Sequence, residues 1–308
     1  ASLLHETGEY TVHIQNAMRL EALTENDIAW IQFDCKPETR NLARAAKRMG
    51  VKIVYEMDDA YWCIPPHNEA TAFWTPDRLL NIDAMMKLAD VVVTTTPRLA
   101  EGFSKRTARV EIAPNFLPAS IWPKAGRRTP GRIVWAGSPS HKHDLDMLSG
   151  PLANVMETRP ESQLIIFGAF IPPALAHFGR RRVRLADWVE FERYPELLAG
   201  LDASVGICPL VDDEFNNCRS AIKVCEYAMC GYNVVASPVG EYPAVIRHGE
   251  NGWLAGTPGE WERALFEALR DAETPEPKVD ALAQWVKAER GEEACLKWWK
   301  GLLTRILG

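Results

Sequence analysis

Apolar positions along this 308-residue chain gather into short runs separated by amphipathic stretches, and the alternation persists from one end to the other. Ile28-Ala-Trp-Ile-Gln-Phe33 predicts a buried strand. Pro37 to Met49 follows, with Leu42, Ala45, Ala46 and Met49 at helical spacing and Gly50 as the stop. Val51 to Tyr55 predicts the next strand, which ends in Glu56-Met-Asp58-Asp59. A helix is expected from Pro76 through Leu88, and Val91 to Thr94 reads as another strand. Thr96-Pro97 has the form of a helix cap with a first-turn proline, opening a helix to about Lys105. Val110 to Ile112 closes the set. Strands alternating with helices predict a parallel sheet joined by right-handed crossovers.

The stretch 123–131 is rich in proline, glycine and charge, which predicts a domain linker at 124–131 between an N-terminal domain (1–123) and a C-terminal domain (132–290). The pattern then restarts. Strands are expected at Arg132–Ala136, Gln163–Phe167, Ala203–Ile207, Asn233–Ser237 and Gly252–Leu254, and Trp188–Phe191 reads as a short strand or loop. Helices are expected from Asp144 to about Met156, Tyr194 to Leu201, Ser220 to Met229, Tyr242 to His248, Pro258 to Arg270 and Val279 to Leu307. The reading is an α/β chain of two Rossmann-like, doubly wound halves facing across a cleft. Ligands of such sheets sit outside the carboxyl ends of the strands. The residues just after each strand are therefore the functional candidates.

Composition narrows the class. A hydrophobic fraction of 47% with 25% charged residues supports packed cores and excludes a disordered chain. No apolar run approaches the roughly 20 residues of a membrane span, and Ala1–Tyr10 lacks the apolar core of a signal peptide. The seven cysteines are scattered without a C-x-x-C pair, so free thiols in a reducing cytoplasm are expected rather than disulfides or zinc. A net charge of −6 argues against a surface that coats nucleic acid as a whole. It leaves room for the local basic clusters Lys124–Arg132 and Arg180–Arg184, which could meet a phosphate-bearing acceptor such as modified DNA, although solvated charge runs would look the same.

The segment from Phe215 to Ser237 carries the strongest chemical signal. A polar loop runs into a helix start, and the helix stops at Gly231 before a buried strand. Backbone N–H groups at that start, with Arg219 and Lys223, could hold a diphosphate. Arg219, Lys223 and Glu226 are spaced four and three apart, which predicts one helix face on which the acid meets ribose hydroxyls and the bases meet phosphate. A solvated charged stripe beside a core helix would have the same spacing; the neighbouring motifs weigh against it.

Those motifs resemble the donor-binding region of GT-B glycosyltransferases, in particular the retaining glycosyltransferase family 4 (group 1), in a compact subgroup of phage or bacterial type. Glu226-Tyr-Ala-Met-Cys-Gly231, Val234–Ser237, Val239-Gly240-Glu241, His248–Leu254, Arg132–Ser138 and Leu164–Gly168 match its elements in order, over about residues 130 to 272. The resemblance implies that Glu226 binds the donor ribose, that Ser138 and Lys142 face the diphosphate beside Gly137, and that Gly168 and Ala169 approach the base. It implies that Ser220, Gly240 and Glu241 line the same pocket. It further implies a UDP- or GDP-sugar co-substrate, no bound cofactor or metal, and a last helix (291–308) packing back on the N-domain. The family's first glutamate, eight positions before Glu226, is here Cys218. Asp212, Asp213 or Glu214 could replace it, or Arg219-Ser220 could mark another solution.

The N-terminal half resembles the acceptor domain more weakly, through Asp27–Gln32, Val54–Asp59 and Ala89–Pro97, and its usual first strand is not visible. Asp59 and the loop residue His67 join Arg219 and Lys223 as catalytic candidates. Trp62, Phe73 and Trp74 are candidates for an acceptor-stacking wall. The acceptor stays open between a glycan and a hydroxymethylated DNA base, and the assembly between monomer and homodimer. Two other classes stay open: a sugar-phosphate epimerase of similar shape, and a non-catalytic nucleotide-sugar-binding protein. A dehydrogenase is disfavoured, because no G-x-G-x-x-G follows an early strand.

Overall fold

The computed structural model describes residues 2–308 except Ala17, Lys124, Ala125, Arg127, Ala169 and Trp188. The chain forms two compact units, one made of residues 1–115 and 292–308 and the other of 116–291.

The first unit holds a parallel sheet of four strands in the order β1-β2-β3-β4: Ile28–Gln32, Lys52–Glu56, Val91–Thr94 and Val110–Ile112. Side chains alternate across a strand, so each apolar run covers both faces. Val54, Val91 and Val93 point to the face on which Leu302 and Ile306 of the Glu292–Leu307 helix pack. The Trp298 indole of that helix donates to Ile112 O at 2.8 Å, and Arg305 meets Glu111 at 3.0 Å. The helices Pro37–Arg48 and Pro76–Leu88 pack on β2 and on each other. Thr96 caps the Pro97–Ser104 helix by accepting from Leu99 N.

The second unit holds six parallel strands: β5 Arg132–Ala136, β6 Gln163–Phe167, β7 Val183–Ala186, β8 Val205–Cys208, β9 Asn233–Ala236 and β10 Trp253–Leu254. Their order is β10-β9-β8-β5-β6-β7, which reverses direction at the neighbours β5 and β8. The two faces carry separate cores. Val134, Ile165, Phe167 and Val234 pack with Leu198, Val224, Tyr227 and Leu282. Ile133, Trp135, Leu164, Ile166 and Val235 pack with Leu152, Val155, Trp261 and Leu265. Burying an aliphatic side chain of this size contributes about 2 kcal/mol, so the alternation itself specifies which helix covers which face.

Several local expectations shift. The boundary expected at 124–131 lies at 115/116 instead, because Leu117 and Trp122 join the second unit's core and Leu117 N donates to Arg290 O at 2.7 Å. Of the expected linker, Lys124, Ala125 and Arg127 lie outside the described residues. The single helix expected from Val279 to Leu307 is two, Val279–Arg290 and Glu292–Leu307. They break at Gly291, where a Cβ would stand 2.3 Å from Lys287 O. The helix expected from Asp144 to Met156 is likewise broken, into Lys142–Asp146 and Ser149–Thr158. Strand β7 lies ahead of the segment expected as a short strand or loop at Trp188–Phe191; of that segment Trp188 lies outside the described residues, Val189 and Glu190 are loop, and Phe191 opens a 3-10 turn. No helix among the described residues is long and apolar enough to cross a membrane.

Candidate functional site

Strands β5 and β8 pair only at Ile133↔Val205 and Val134↔Gly206. Beyond that register Ala136 N has no strand partner and donates instead to the Tyr227 phenol oxygen at 2.7 Å. The two strand ends thus part, and the crevice between them is the place where an open parallel sheet of this order takes a ligand. Tyr227 reaches it because Gly206 has no side chain: a Cβ there would stand 2.4 Å from the ring. Burial pushes the Tyr227 phenol well above its ordinary range, so the group stays a neutral part of the crevice floor. Gly137 turns the chain out of β5 against the Trp135 indole, where a Cβ would stand at 2.6 Å.

The segment after β8 forms the crevice's other wall. Asp213 Oδ1 accepts from Asn216 N at 2.7 Å and a 3-10 turn follows at Asn216–Cys218. Arg219 is extended, and the helix runs over Ile222–Met229, two residues later than the expected start at Ser220. The cause is Glu241. Its Oε2 accepts from Ala221 N at 2.8 Å, its own N–H donates to Arg219 O at 3.0 Å, and its Oε1 receives the Arg290 guanidinium at 2.7 Å. Gly240 makes this approach feasible: at φ +62° a Cβ would lie 2.7 Å from Arg219 O. Gly240 and Glu241 therefore clamp the entrance to the helix, and a residue from the far end of the unit, Arg290, completes the clamp. Sequence reasoning missed Arg290, since nothing local marks it.

The helix face predicted for three charged residues holds two. Arg219 precedes the helix and its guanidinium lies 4.4 Å from the Phe215 ring centroid. Lys223 and Glu226 share the face and form an ion pair at 2.8 Å. Tyr194, from the helix Tyr194–Gly200, joins them: its hydroxyl donates to Glu226 Oε2 at 2.7 Å and accepts from Lys223 Nζ at 2.7 Å. Burial first, then the Glu226 charge, pushes the Tyr194 phenol well above its ordinary range, which keeps its proton available for that bond. Both hydrogen bonds to Glu226 meet Oε2, and no described residue bonds Oε1. The group is a carboxylate only 8% exposed with one oxygen uncommitted, beside an ammonium that retains donor capacity. That is the chemistry needed to accept from vicinal hydroxyls while holding an anion. Cys218, at the position of the absent first glutamate, is buried.

On the β5 side, Ser138 precedes a 3-10 turn at Pro139–His141, and its Oγ lies 2.6 Å from Ser140 Oγ. Lys142 is exposed with Nζ 5.1 Å from the Phe170 ring centroid. Gly168 ends β6 at φ +94°, and Ala169 lies outside the described residues. His141 Nδ1 stands 2.8 Å from Asp144 Oδ2, while Asp144 Oδ1 accepts from Val211 N at 2.8 Å and from Asn216 Nδ2 at 2.9 Å. Asp144, another residue missed in sequence, thus ties the turn after β5 to the loop after β8. Burial first, with the neighbouring Cys208 and Asp144 adding to it, pushes the Tyr242 phenol well above its ordinary range.

The remaining candidates belong to the first unit. Asp58 and Asp59 follow β2, where Met57 N donates to Val93 O at 2.9 Å. His67 is exposed in the loop before the turn Glu69–Ala72, which Asn68 caps. Trp62 packs on the Pro97–Ser104 helix so closely that a Cβ at Gly102 would stand 2.3 Å from its ring. Phe73 and Trp74 cluster with Phe33, with centroids 6.1 and 5.4 Å from it. Of the arginine run, Arg182 is spent inside the second unit, donating to Ser162 O at 3.1 Å and to Arg159 O at 3.1 Å.

Residues 130–272 match the family model described as glycosyl transferases group 1. Among solved structures, the HepE protein of Anabaena in complex with UDP-glucose is similar, with a TM-score of 0.68 at 13% identity over 93% of this chain and 80% of that one. Sucrose-phosphate synthase from Thermosynechococcus elongatus gives 0.65 at 15% identity, covering 92% of this chain and 74% of its own. The pneumococcal O-GlcNAc transferase GtfA in complex with UDP and GlcNAc gives 0.65 at 15% identity, covering 94% of this chain and 59% of its own. These likenesses establish the GT-B fold. No curated protein matches the chain in sequence.

Proposed function

We propose that the protein moves a sugar from a nucleoside-diphosphate sugar to an acceptor hydroxyl, a reading supported by the match of residues 130–272 to the model of the group 1 glycosyl transferases. The observation that carries this reading is the Lys223–Glu226–Tyr194 triangle beside the β5/β8 crevice. Glu226 Oε1 accepts from the donor ribose. Lys223 and Arg219 offset the charge that grows on the diphosphate as it departs, and Ser138, Ser220 and Lys142 line its path. Gly137 and Gly168 leave room for donor phosphate and base, while Gly240 and Glu241 hold the loop in register. No metal is needed where basic side chains do this work.

In the reaction, the bond from anomeric carbon to phosphate oxygen breaks and its electron pair stays on the diphosphate. The acceptor oxygen bonds to the same face of that carbon, with retention, and its proton ends on the departing phosphate. Asp59 and His67 serve the acceptor side, a glycan or a hydroxymethylated DNA base. The donor is a UDP- or GDP-sugar; that two similar structures hold UDP with a sugar supports the uridine form. Seven cysteines scattered without a C-x-x-C pair suit a reducing cytoplasm.

A thermal-shift panel of UDP-glucose, UDP-N-acetylglucosamine and GDP-mannose tests the donor reading. One of them should raise the melting temperature, and Glu226→Ala should abolish the rise. Folded protein that responds to none would sink it. Binding without release of free sugar or transfer would instead favour a nucleotide-sugar-binding protein, the reading to which buried Cys218 in place of a carboxylate lends support.

A further inference from the structure

Strand β7 closes one edge of the six-stranded sheet and pairs with β6 alone. Its even-numbered residues turn their backbones to β6: Arg182 O accepts from Leu164 N at 2.7 Å and Ala186 O from Gly168 N at 3.2 Å. Peptide groups alternate in direction along a strand, so the N–H and C=O of Leu185 point away from the sheet. Such an edge is a template for another strand. The Leu185 side chain is 48% exposed, and Phe191 just beyond the strand is 73% exposed. Charge is segregated along the same segment. Arg180 and Arg181 precede the strand and Arg184 lies within it, while Asp187, Glu190 and Glu192 follow it, with Arg193 after them. The first six are all exposed, and none forms an ion pair with a described residue. An edge that only needs defending against aggregation is served by charges in any order. A segregated edge repels a copy of itself laid parallel and matches one laid antiparallel.

We propose that the β7 edge is the interface for a second copy of this chain, joined antiparallel about a two-fold axis at Leu185. Residues directly opposite in an antiparallel ladder can exchange both backbone hydrogen bonds, and the outward N–H and C=O of the two Leu185 residues do so here. Their side chains then cover one another on one face of the sheet. The arginine end of each strand meets the carboxylate end of the other. An isologous contact makes every pair twice, so the segregation counts double. The two six-stranded sheets become one continuous sheet, in which β6 and β5 separate the joint from each crevice.

Sedimentation velocity on the full chain tests the proposal. Wild type should run as a dimer at low ionic strength, and its dissociation constant should rise by about 10-fold or more at high salt, where exposed pairs are screened. One variant reverses the basic end, Arg180→Glu with Arg181→Glu. A second reverses the acidic end, Asp187→Arg with Glu190→Arg. Each alone sets like charge against like and should be monomeric. Mixed, the two should form a heterodimer, because each reversed end then meets its opposite. Leu185→Pro removes the outward N–H, at an edge that tolerates proline, and should give a monomer with unchanged circular dichroism. Wild type that is monomeric at low ionic strength overturns the proposal, and so do reversed variants that stay apart on mixing. A dimer that survives both reversals and Leu185→Pro is held elsewhere and overturns it equally. The readout is mass, so the result stands apart from the nucleotide-sugar reading.

Discussion

Both units carry an all-parallel sheet, yet only one of the sheets turns back on itself. In the first, β1 to β4 lie in chain order, and the helix that completes its second face comes from the far end of the chain. In the second, the chain starts at β5, builds outward to β7, then returns to the other side of β5 with β8. That return leaves two adjacent strands whose following segments depart in opposite directions, and the Ala136 N–H between them is met by a side chain rather than a strand. A reversal thus creates a crevice without any special loop, while a sheet in simple order must build one from loops. The lesson is that Lys223, Glu226 and Ser138, the residues proposed to meet the donor, stand on a frame fixed by topology. Asp59, His67 and the Phe33–Phe73–Trp74 cluster stand on irregular segments.

The largest effect on this contrast should come from the first sheet's borrowed layer. Leu302→Ala removes a fully buried side chain from the helix over Val54 and Val91, and should cost about 3 kcal/mol. Hydrogen exchange should accelerate in β1 to β4 and hold steady in β5 to β9; a uniform change would mean that the two units do not have separate cores. Gly206→Ala should cost about 2–3 kcal/mol, because the new Cβ falls 2.4 Å from the Tyr227 ring and forces it out of the reversal point. Urea unfolding would measure the loss, and a variant as stable as wild type would show that the ring has room. Tyr227→Phe keeps the packing and removes only the bond to Ala136 N, leaving a buried donor unmet at a cost of about 1–2 kcal/mol. Its effect should be confined to exchange near Ala136.

A last effect is alkaline, and Cys225 reports it for the second unit. Burial pushes the Cys225 thiol up to about 12 from an ordinary 9.0. The unfolded thiol ionises first as pH rises, so the folded state binds the proton more tightly. The associated stability is complete below about pH 9 and is lost between about 9 and about 12. Cys225→Ala should flatten the fall in stability over that window in denaturant titrations at stepped pH; an unchanged slope would refute the assignment.

How much of this was legible in the sequence follows the same division. The strands of both sheets are readable because each is a short apolar run, and Thr96-Pro97 announces its cap in two residues. The exception is β7, an edge strand whose buried Val183 is set among arginines, so that it reads as a charge run. Lys223 and Glu226 lie three residues apart on one helix and are visible as a pair. Tyr194 is not, because its hydroxyl reaches Glu226 from 32 positions away. Asp144 and Arg290 are hidden for the same reason: each is an ordinary charged residue until the fold sets it against Asn216 or Glu241. Spacing along the chain reveals a site only where the site is local.

The discontinuity of the first unit has a consequence for biosynthesis. The second unit is one unbroken stretch, 116–291, while the first needs residues at both ends of the sequence, 1–115 and 292–308. A ribosome delivers these in order, so β1 to β4 leave the exit tunnel long before the helix that covers Val54, Val91 and Val93 has been translated. The usual rule that the earlier domain matures first is inverted here. The nascent first sheet must wait with one face bare, exposed to chaperones and to aggregation, until synthesis of the last helix ends the wait.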